Sequence, residues 1–150
     1  MQIPHELQAF EKTTLIVVTD SVQAKLFKAK GRMVEYITTL TSDYPPKDNL
    51  ERSSGQSPSG IHFAEESENI GEVSREKLYA VLSQNLLHRF QEEEFQELVF
   101  TVPQEHLGEL KESIDIKLLK LAKIWVPKLL TNDDIKDILI HIEETDYPEK

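Results

Sequence analysis

A short polar stretch near the middle of the chain carries residues suited to chemistry at a carbonyl group or a water molecule. It reads Arg52-Ser53-Ser54-Gly55-Gln56. A glutamine side chain is both donor and acceptor, so a glutamine on a flexible backbone can orient a water or a carbonyl. Polar stretches with glycine are also common in plain connecting loops. The residues alone leave both interpretations open.

A carboxylate that directly follows a predicted strand is the second candidate. Asp20 comes after the apolar run Leu15–Val18 and before Ser21. Such a carboxylate can bind a metal ion or act as a general base, but its side chain can also close the turn by hydrogen bonding to the backbone. No second acid has a spacing that marks it as a partner. The pattern favours the turn.

Metal, cofactor and covalent chemistry have little support in the sequence. The chain has no cysteine, which removes thiolate ligands and cysteine nucleophiles. The histidines are widely separated and lack the spacing typical of a zinc site; they are His5, His62, His88, His106 and His141. Phosphate-binding loops, dinucleotide fingerprints and serine elbows are absent from the sequence. We therefore expect no catalytic residue, no metal and no cofactor.

Three consecutive strands are predicted ahead of the polar stretch. Leu15–Val18 is typical of a strand covered on both faces, and the alternation of Val22, Ala24 and Leu26 indicates a neighbour with one wetter face. Lys30-Gly31-Arg32 suits a tight turn, because glycine accepts positive φ without a clash of a Cβ atom. Alternation in the third strand then predicts one face made of Val34, Tyr36, Thr38 and Leu40, and another made of Glu35, Ile37 and Thr39.

The next part of the chain predicts a long loop and then a helix and a strand. Residues 43–73 have few, irregularly spaced large apolar residues and read as a flexible loop. A helix is predicted from about Ser74, whose hydroxyl can cap it. The apolar segment Glu97–Val102 predicts a buried strand, and Pro103 suits the first position of a following helix.

The C-terminal third predicts one more strand and one more helix. Ile116–Leu121 either continues the preceding helix or forms a separate turn, and Ala122–Leu130 is the last strand, at an edge because it contains Pro127. Thr131 is predicted to cap the final helix, and the acidic tail from Glu143 to be frayed. The fold class is α/β (α+β), one domain over residues 1–150, with a mixed five-stranded sheet in the order β-β-β-loop-α-β-α-β-α.

Composition narrows the class of partner and the compartment. The 150 residues carry a formal net charge of −10, from 17 basic and 27 acidic residues, which disfavours bulk attraction to nucleic acid or to an anionic membrane. A local basic patch from Lys25, Lys28, Lys30 and Arg32 remains open. The N-terminus lacks the pattern of a secretion signal, and no apolar run is long enough to insert in a membrane. We expect a cytoplasmic protein, with a homodimer through an edge strand near Trp125 as one option.

Several segments, in order, resemble the bacterial host-attachment protein family. Leu15–Asp20, Ser21 and Ala24-Lys25-Leu26-Phe27 resemble its opening, an apolar strand, Asp, a small residue and then Ala-Arg-(apolar)-Phe. Pro103 with Leu107–Lys111 is similar to its Pro…Leu-Gly-(x)-Leu-Arg helix, and Lys128–Thr131 sits where the family has Lys-Asp-Leu-Thr. Here lysines replace both arginines, and Leu129 replaces the aspartate.

That family is similar in fold to the middle domain of archaeal and eukaryotic peptide-chain release factors and of Pelota. In release factors this domain carries a Gly-Gly-Gln loop after its third strand, which works at the ribosomal peptidyl-transferase centre. Ser54-Gly55-Gln56 occupies a similar place in this chain, with serine for the first glycine. The resemblance thus implies binding residues at Arg52, Ser54, Gly55, Gln56 and Lys25.

Three functional hypotheses follow. The first is a non-enzymatic cytoplasmic protein of the host-attachment type that binds an unidentified protein partner. The second is a release-factor-like protein that uses the Arg52–Gln56 loop near tRNA or ribosomal RNA. The third is a hydrolase or nuclease in which Asp20 and other acids hold a divalent cation.

Overall fold

A computed structural model of the chain describes residues 1–42 and 63–146, and it describes residues 63–72 by their backbone alone. Three strands come first, then a long helix, a fourth strand, three short helical segments, a fifth strand and a last helix. Their bounds are β1 Phe10–Thr19, β2 Gln23–Gly31, β3 Met33–Thr41, α1 Phe63–Gln91, β4 Glu97–Thr101, the 3-10 helix Gln104–His106, α2 Leu107–Ser113, α3 Ile116–Leu119, β5 Ala122–Val126 and α4 Ile135–Asp146.

The five strands form one mixed sheet in the order β3-β2-β1-β4-β5. The β1–β2 and β2–β3 pairs are antiparallel, whereas β1–β4 and β4–β5 are parallel. This confirms the predicted fold class, the opening meander and the edge position of the last strand. The central strand is β1, and its residues from Thr14 to Thr19 are all buried, as its apolar run predicts.

Helices α1, α2 and α3 cover one face of the sheet, which we call the α1 face. Its core contains large aliphatic and aromatic side chains that are almost wholly buried: Leu15, Val17, Leu26, Leu40, Leu78, Tyr79, Leu82, Leu86, Phe95, Leu98, Phe100, Val102, Leu110, Ile114 and Leu118. Burial of one such aliphatic side chain stabilises the fold by about 1.5–3 kcal/mol. Trp125 packs on this core: its ring stacks on Phe100 with 4.4 Å between ring centroids, and Lys111 Nζ lies 5.1 Å above it.

Helix α4 and the N-terminal segment cover part of the opposite face, which we call the α4 face. Its buried residues are Ile3, Ile16, Val18, Ala29, Val34, Val99, Ile124, Val126, Leu130, Ile138, Leu139 and Ile142. The N-terminal segment is held to the start of β3, since Met1 and Val34 exchange backbone hydrogen bonds and Ile3 N donates to Arg32 O. The Arg32 guanidinium donates to the carbonyls of Pro4 and Leu7 at 2.8 Å.

A β-bulge in β3 corrects the predicted faces of that strand. Leu26 pairs with Thr38 but Phe27 pairs with Tyr36, so Ile37 is an extra residue opposite β2. An extra residue reverses the side-chain alternation beyond it. Val34 and Tyr36 therefore lie on the α4 face, while Leu40 packs in the α1 face, and the prediction of one shared face was wrong.

The predicted loop at 43–73 was wrong in its second half. Helix α1 begins at Phe63, so Ser74 lies inside it and caps nothing. The acidic residues of the segment Phe63-Ala64-Glu65-Glu66 suit an exposed loop. Alanine and glutamate are also strong helix formers, however, and here they lie in the first turn of the helix. Residues 43–62 lie outside the described part of the chain.

Smaller corrections concern the ends of the later elements. Pro103 precedes the 3-10 helix rather than opening it, and α3 is a separate helix because Ile114 is extended and the Asp115 side chain caps the next turn. Strand β5 ends at Val126, before Pro127. Residues 143–146 are helical rather than frayed, since α4 continues to Asp146; residues 147–150 lie outside the described residues. Within residues 1–42 and 63–146, no helix combines the length and the apolar character needed to cross a bilayer.

Candidate functional site

The carboxyl ends of the parallel strands β1, β4 and β5 border one open groove. Its volume is about 600 Å³, and its lining comes from the three loops that follow these strands: Asp20, Ser21, Val22, Pro103, Gln104, Glu105, His106, Pro127, Lys128, Leu129, Thr131 and Asn132. The chain leaves β1 towards β2 and leaves β4 towards β5, in opposite directions along the sheet. In open sheets, ligands bind preferentially where neighbouring connections diverge in this way.

The Asp20 carboxylate links two of the loops that line the groove by hydrogen bonds. Its Oδ1 accepts hydrogen bonds from Val22 N at 2.8 Å and Gln23 N at 2.9 Å, which close the β1–β2 turn and confirm the favoured role. Its Oδ2 accepts a bond from the Thr131 hydroxyl at 2.8 Å, a contact between loops 111 residues apart. Thr131 therefore does not cap α4, which begins four residues later at Ile135.

Lys25, on strand β2, also contacts the loop that contains Thr131. It lies on β2 opposite Val18, and its ammonium group donates to the Thr131 carbonyl at 2.6 Å. Among the described residues, no carboxylate lies within ion-pairing distance of Lys25. The ammonium group of Lys25 thus lies close to the groove and stabilises the position of the loop after β5.

A serine and a histidine meet across the groove. Ser21 Oγ and His106 Nε2 are 3.4 Å apart, a long contact for a hydrogen bond. A serine nucleophile needs a nearby base that is itself oriented by a third group. Within the described part of the chain, no hydrogen bond to His106 Nδ1 is found and no cluster of His, Asp or Glu residues could hold a metal ion.

Tyr79 lies buried on α1 behind the groove, and its hydroxyl has no hydrogen-bond partner among the described residues. Burial raises the pKa of Tyr79 from 10.0 to about 12 because the phenolate loses its hydration; Glu109 and Asp20 add to the rise, and Arg75 opposes it. Arg75 Nε pairs with Glu109 Oε1 at 2.7 Å. This pair links α1 to α2 on the groove side of the α1 face.

We expect the wild-type protein to lose stability at high pH relative to a Tyr79→Phe variant. Above pH 10 the tyrosine ionises in the unfolded chain but stays protonated in the folded protein until about pH 12, so the unfolded state is favoured as the pH rises. The loss attributable to Tyr79 is about 1.4 kcal/mol at pH 11. Urea unfolding of both proteins at pH 8 and pH 11 measures it, since the other tyrosines are common to both. Equal losses in the two proteins would contradict this role.

The residues predicted as the binding site are not all placed. Lys25 lies beside the groove as described, whereas Arg52, Ser54, Gly55 and Gln56 lie outside the described residues. Residues 43–62 connect the end of β3 with the start of α1. Thr41, the last residue of β3, pairs with Gln23 at the groove edge of the sheet, and α1 runs away from that edge, since Arg75 contacts α2 near its start and Ser83 contacts Asp115 beyond its end.

The four cations that could have formed a basic patch do not share one surface. Lys25 lies near the start of β2 and Arg32 in the turn after its end, and Lys28 and Lys30 alternate with Phe27 and Ala29, which pack on the α4 face. Lys28 and Lys30 therefore point to the other face of the sheet.

The sequence did not reveal that one groove contains Ser21, His106, Lys128 and Asn132. The available signal was that Ser21 and Asn132 follow predicted strands, whereas Lys128 was predicted to lie inside the last strand and His106 in a helix.

Comparison with solved structures gives partial likenesses. The archaeal translation termination factor aRF1 is 15% identical, with a TM-score of 0.49 over 76% of this chain and 30% of that chain. S. cerevisiae Dom34, a translation termination-like factor involved in RNA quality control pathways, is 11% identical, with a TM-score of 0.44 over 91% of this chain and 36% of that chain. The chain thus spans about a third of either protein.

Comparison with curated proteins gives no match, and none of the comparisons supports the host-attachment assignment. The family described as bacterial archaeo-eukaryotic release factor family 12 matches residues 13–142. The match begins in β1 and ends within α4, so it includes most of β1, the other four strands and the groove. The release-factor part of the resemblance is thereby confirmed, and the chain belongs to bacterial archaeo-eukaryotic release factor family 12.

Proposed function

We propose that this protein is a cytoplasmic, translation-associated protein that binds at the ribosome. The observation that carries the proposal is the family match over residues 13–142, which spans nearly the whole described fold. This reverses the order of the sequence-based hypotheses, because the release-factor-like one has support from a comparison and the host-attachment one has none.

We further propose that Arg52, Ser54, Gly55 and Gln56 contact tRNA or ribosomal RNA. The attachment points of residues 43–62 support this, since β3 ends at the groove edge of the sheet and α1 enters from the same side. Lys25, beside the groove, would then lie near the same partner.

The proposed mode of action is binding rather than catalysis. Ser21 and His106 form the nearest approach to a nucleophile and base in the described residues, but the imidazole has no carboxylate on its other nitrogen to orient it. Asp20 accepts hydrogen bonds from three donors that shape the loops. Among the described residues, no group of three or more His, Asp or Glu side chains could hold a metal ion, so the cation-dependent hydrolase has no support there. A homodimer through the edge strand near Trp125 stays a prediction.

Ribosome co-sedimentation tests the proposal. The wild-type protein should pellet with ribosomes at low salt and be released at high salt, because contacts to phosphates weaken as salt rises. A Gly55→Val/Gln56→Ala variant should bind about tenfold more weakly, the effect of truncating one important contact. A Gly108→Ala/Gln91→Ala variant is the matched control, since both residues lie on helices and an added Cβ at Gly108 meets no atom within 4 Å.

Two outcomes separate the parts of the proposal. If the wild-type protein stays in the supernatant even at low salt, the translation-associated function is wrong. If the wild type and the Gly55→Val/Gln56→Ala variant pellet equally, the function stands but the Arg52–Gln56 segment is not the contact.

A further inference from the structure

Two aromatic side chains lie on a part of the α4 face that helix α4 leaves open. Phe27 on β2 and Tyr36 on β3 are paired across the strands, with 5.8 Å between ring centroids and an edge-on arrangement. Tyr36 is 57% exposed, and Phe27 is half-buried against the core of this face. The bulge at Ile37 is what turns Tyr36 to this side.

The Tyr36 ring is held in place by its neighbours. Its hydroxyl is 2.7 Å from the Thr39 hydroxyl, and the Phe27 ring supports it from β2. A ring fixed in this way loses little conformational entropy when a flat partner stacks on it. An exposed aromatic ring on a sheet face is a common platform for the bases of single-stranded RNA.

Cations border this platform on the groove side. Lys25 lies two residues before Phe27 on the same strand and hence on the same face, about 7 Å away along the strand. Its ammonium group contacts the loop after β5, where Lys128 and Asn132 line the groove. The Lys128 ammonium group lies 3.3 Å from His141 Nδ1. Within the described residues, neither lysine has a carboxylate partner within 4 Å.

We propose that this surface, made of Phe27, Tyr36, Lys25, Lys128 and Asn132, binds single-stranded RNA. One base stacks on Tyr36, and the two ammonium groups meet two phosphates on the way to the groove. The inference rests on the proposed function, and it names the kind of RNA contact that the described part of the fold would make. Asp133 and Asp134 are exposed beside Asn132, so stacking carries more of the affinity than charge does.

Fluorescence anisotropy with a labelled single-stranded RNA octamer and the purified protein tests the inference. Tyr36→Ala should weaken binding about tenfold, whereas Tyr36→Phe keeps the ring and should bind like the wild type. Lys128→Gln should weaken binding and reduce the salt dependence, which for two phosphates has a slope of about −1.4 in log K against log salt. The matched controls are Ile116→Ala and Lys117→Gln, two exposed residues on α3, at the other face of the sheet.

Three results would overturn the inference: no binding of the octamer at low salt, equal binding by Tyr36→Ala and the wild type, or loss of binding in Tyr36→Phe as well. Sedimentation of the protein without RNA tests whether a second copy of the chain binds this surface instead. Dimerisation that Tyr36→Ala abolishes would also overturn the inference. The octamer assay contains no ribosome. A protein that pellets with ribosomes but ignores the octamer would therefore disprove this surface and leave the proposed function intact.

Discussion

Replacing Asp20 with alanine is expected to lower the free energy of unfolding by about 3 kcal/mol. The carboxylate accepts two backbone hydrogen bonds that close the β1–β2 turn and one from the Thr131 hydroxyl. Hydrogen bonds to a charged group contribute about 1.5–3 kcal/mol each when buried and less when exposed, and here the turn is partly exposed. Thr131 is almost fully buried, so its hydroxyl would lose its acceptor without access to bulk water. Urea unfolding monitored by circular dichroism measures the loss.

Asp20→Asn is the informative companion. Its amide oxygen can still accept from Val22 N and Gln23 N, and the Thr131 hydroxyl can turn to accept from the amide nitrogen. We expect this variant to lose about 1 kcal/mol, because neutral hydrogen bonds replace charge-assisted ones. A free energy of unfolding unchanged in Asp20→Ala would show that the network does not stabilise the strand ends. Asp20→Asn that loses as much as Asp20→Ala would show that charge, rather than geometry, is required.

Replacing Arg32 with methionine is expected to cost about 2 kcal/mol. One guanidinium nitrogen donates to the carbonyls of Pro4 and Leu7 at 2.8 Å and approaches that of Ile3 at 3.5 Å. These bonds hold the N-terminal segment over the α4 face, where Ile3 is buried. Methionine keeps the aliphatic stem but removes every donor, so the segment should detach more often. Urea unfolding gives the loss in stability, and hydrogen exchange at the Ile3 amide, which bonds to Arg32 O, should become faster.

Lys30→Met is the matched control for Arg32→Met, because it removes one exposed positive charge two residues away on the same hairpin. We expect its free energy of unfolding to stay within about 0.5 kcal/mol of the wild type, the usual range for exposed positions. If both variants lose the same stability, net charge rather than the carbonyl contacts explains the effect of Arg32.

The same arginine shows why cations that are close in sequence need not form one basic patch. Lys25, Lys28, Lys30 and Arg32 are close in sequence, but a strand turns alternate side chains to opposite faces and separates residues 25 and 32 by about 23 Å. Lys25 and Arg32 then each meet backbone carbonyls of segments distant in sequence. Neither carbonyl can be identified from the spacing of charged residues.

Local patterns were enough for much of the fold. The apolar run Leu15–Val18 predicts a strand covered on both faces, and the structure makes it the centre of the sheet. Gly31 has φ +60 at the predicted tight turn, and Asp20 closes the turn that its residue type favours. These features depend on residues within a few positions of one another, so a sequence read alone contains their causes.

Tertiary structure decided the candidate sites. The bulge at Ile37 places Tyr36 on the α4 face, where it is exposed. It lets β3 bury Val34 in the α4 face near one end and Leu40 in the α1 face near the other. Thr131 reaches Asp20 across 111 positions and Lys25 across 106. Such contacts form only once the parallel strands bring their carboxyl ends together. The sequence by itself determined the strands, the turns and the mixed sheet, whereas the groove and the aromatic surface follow from packing between segments far apart in the chain.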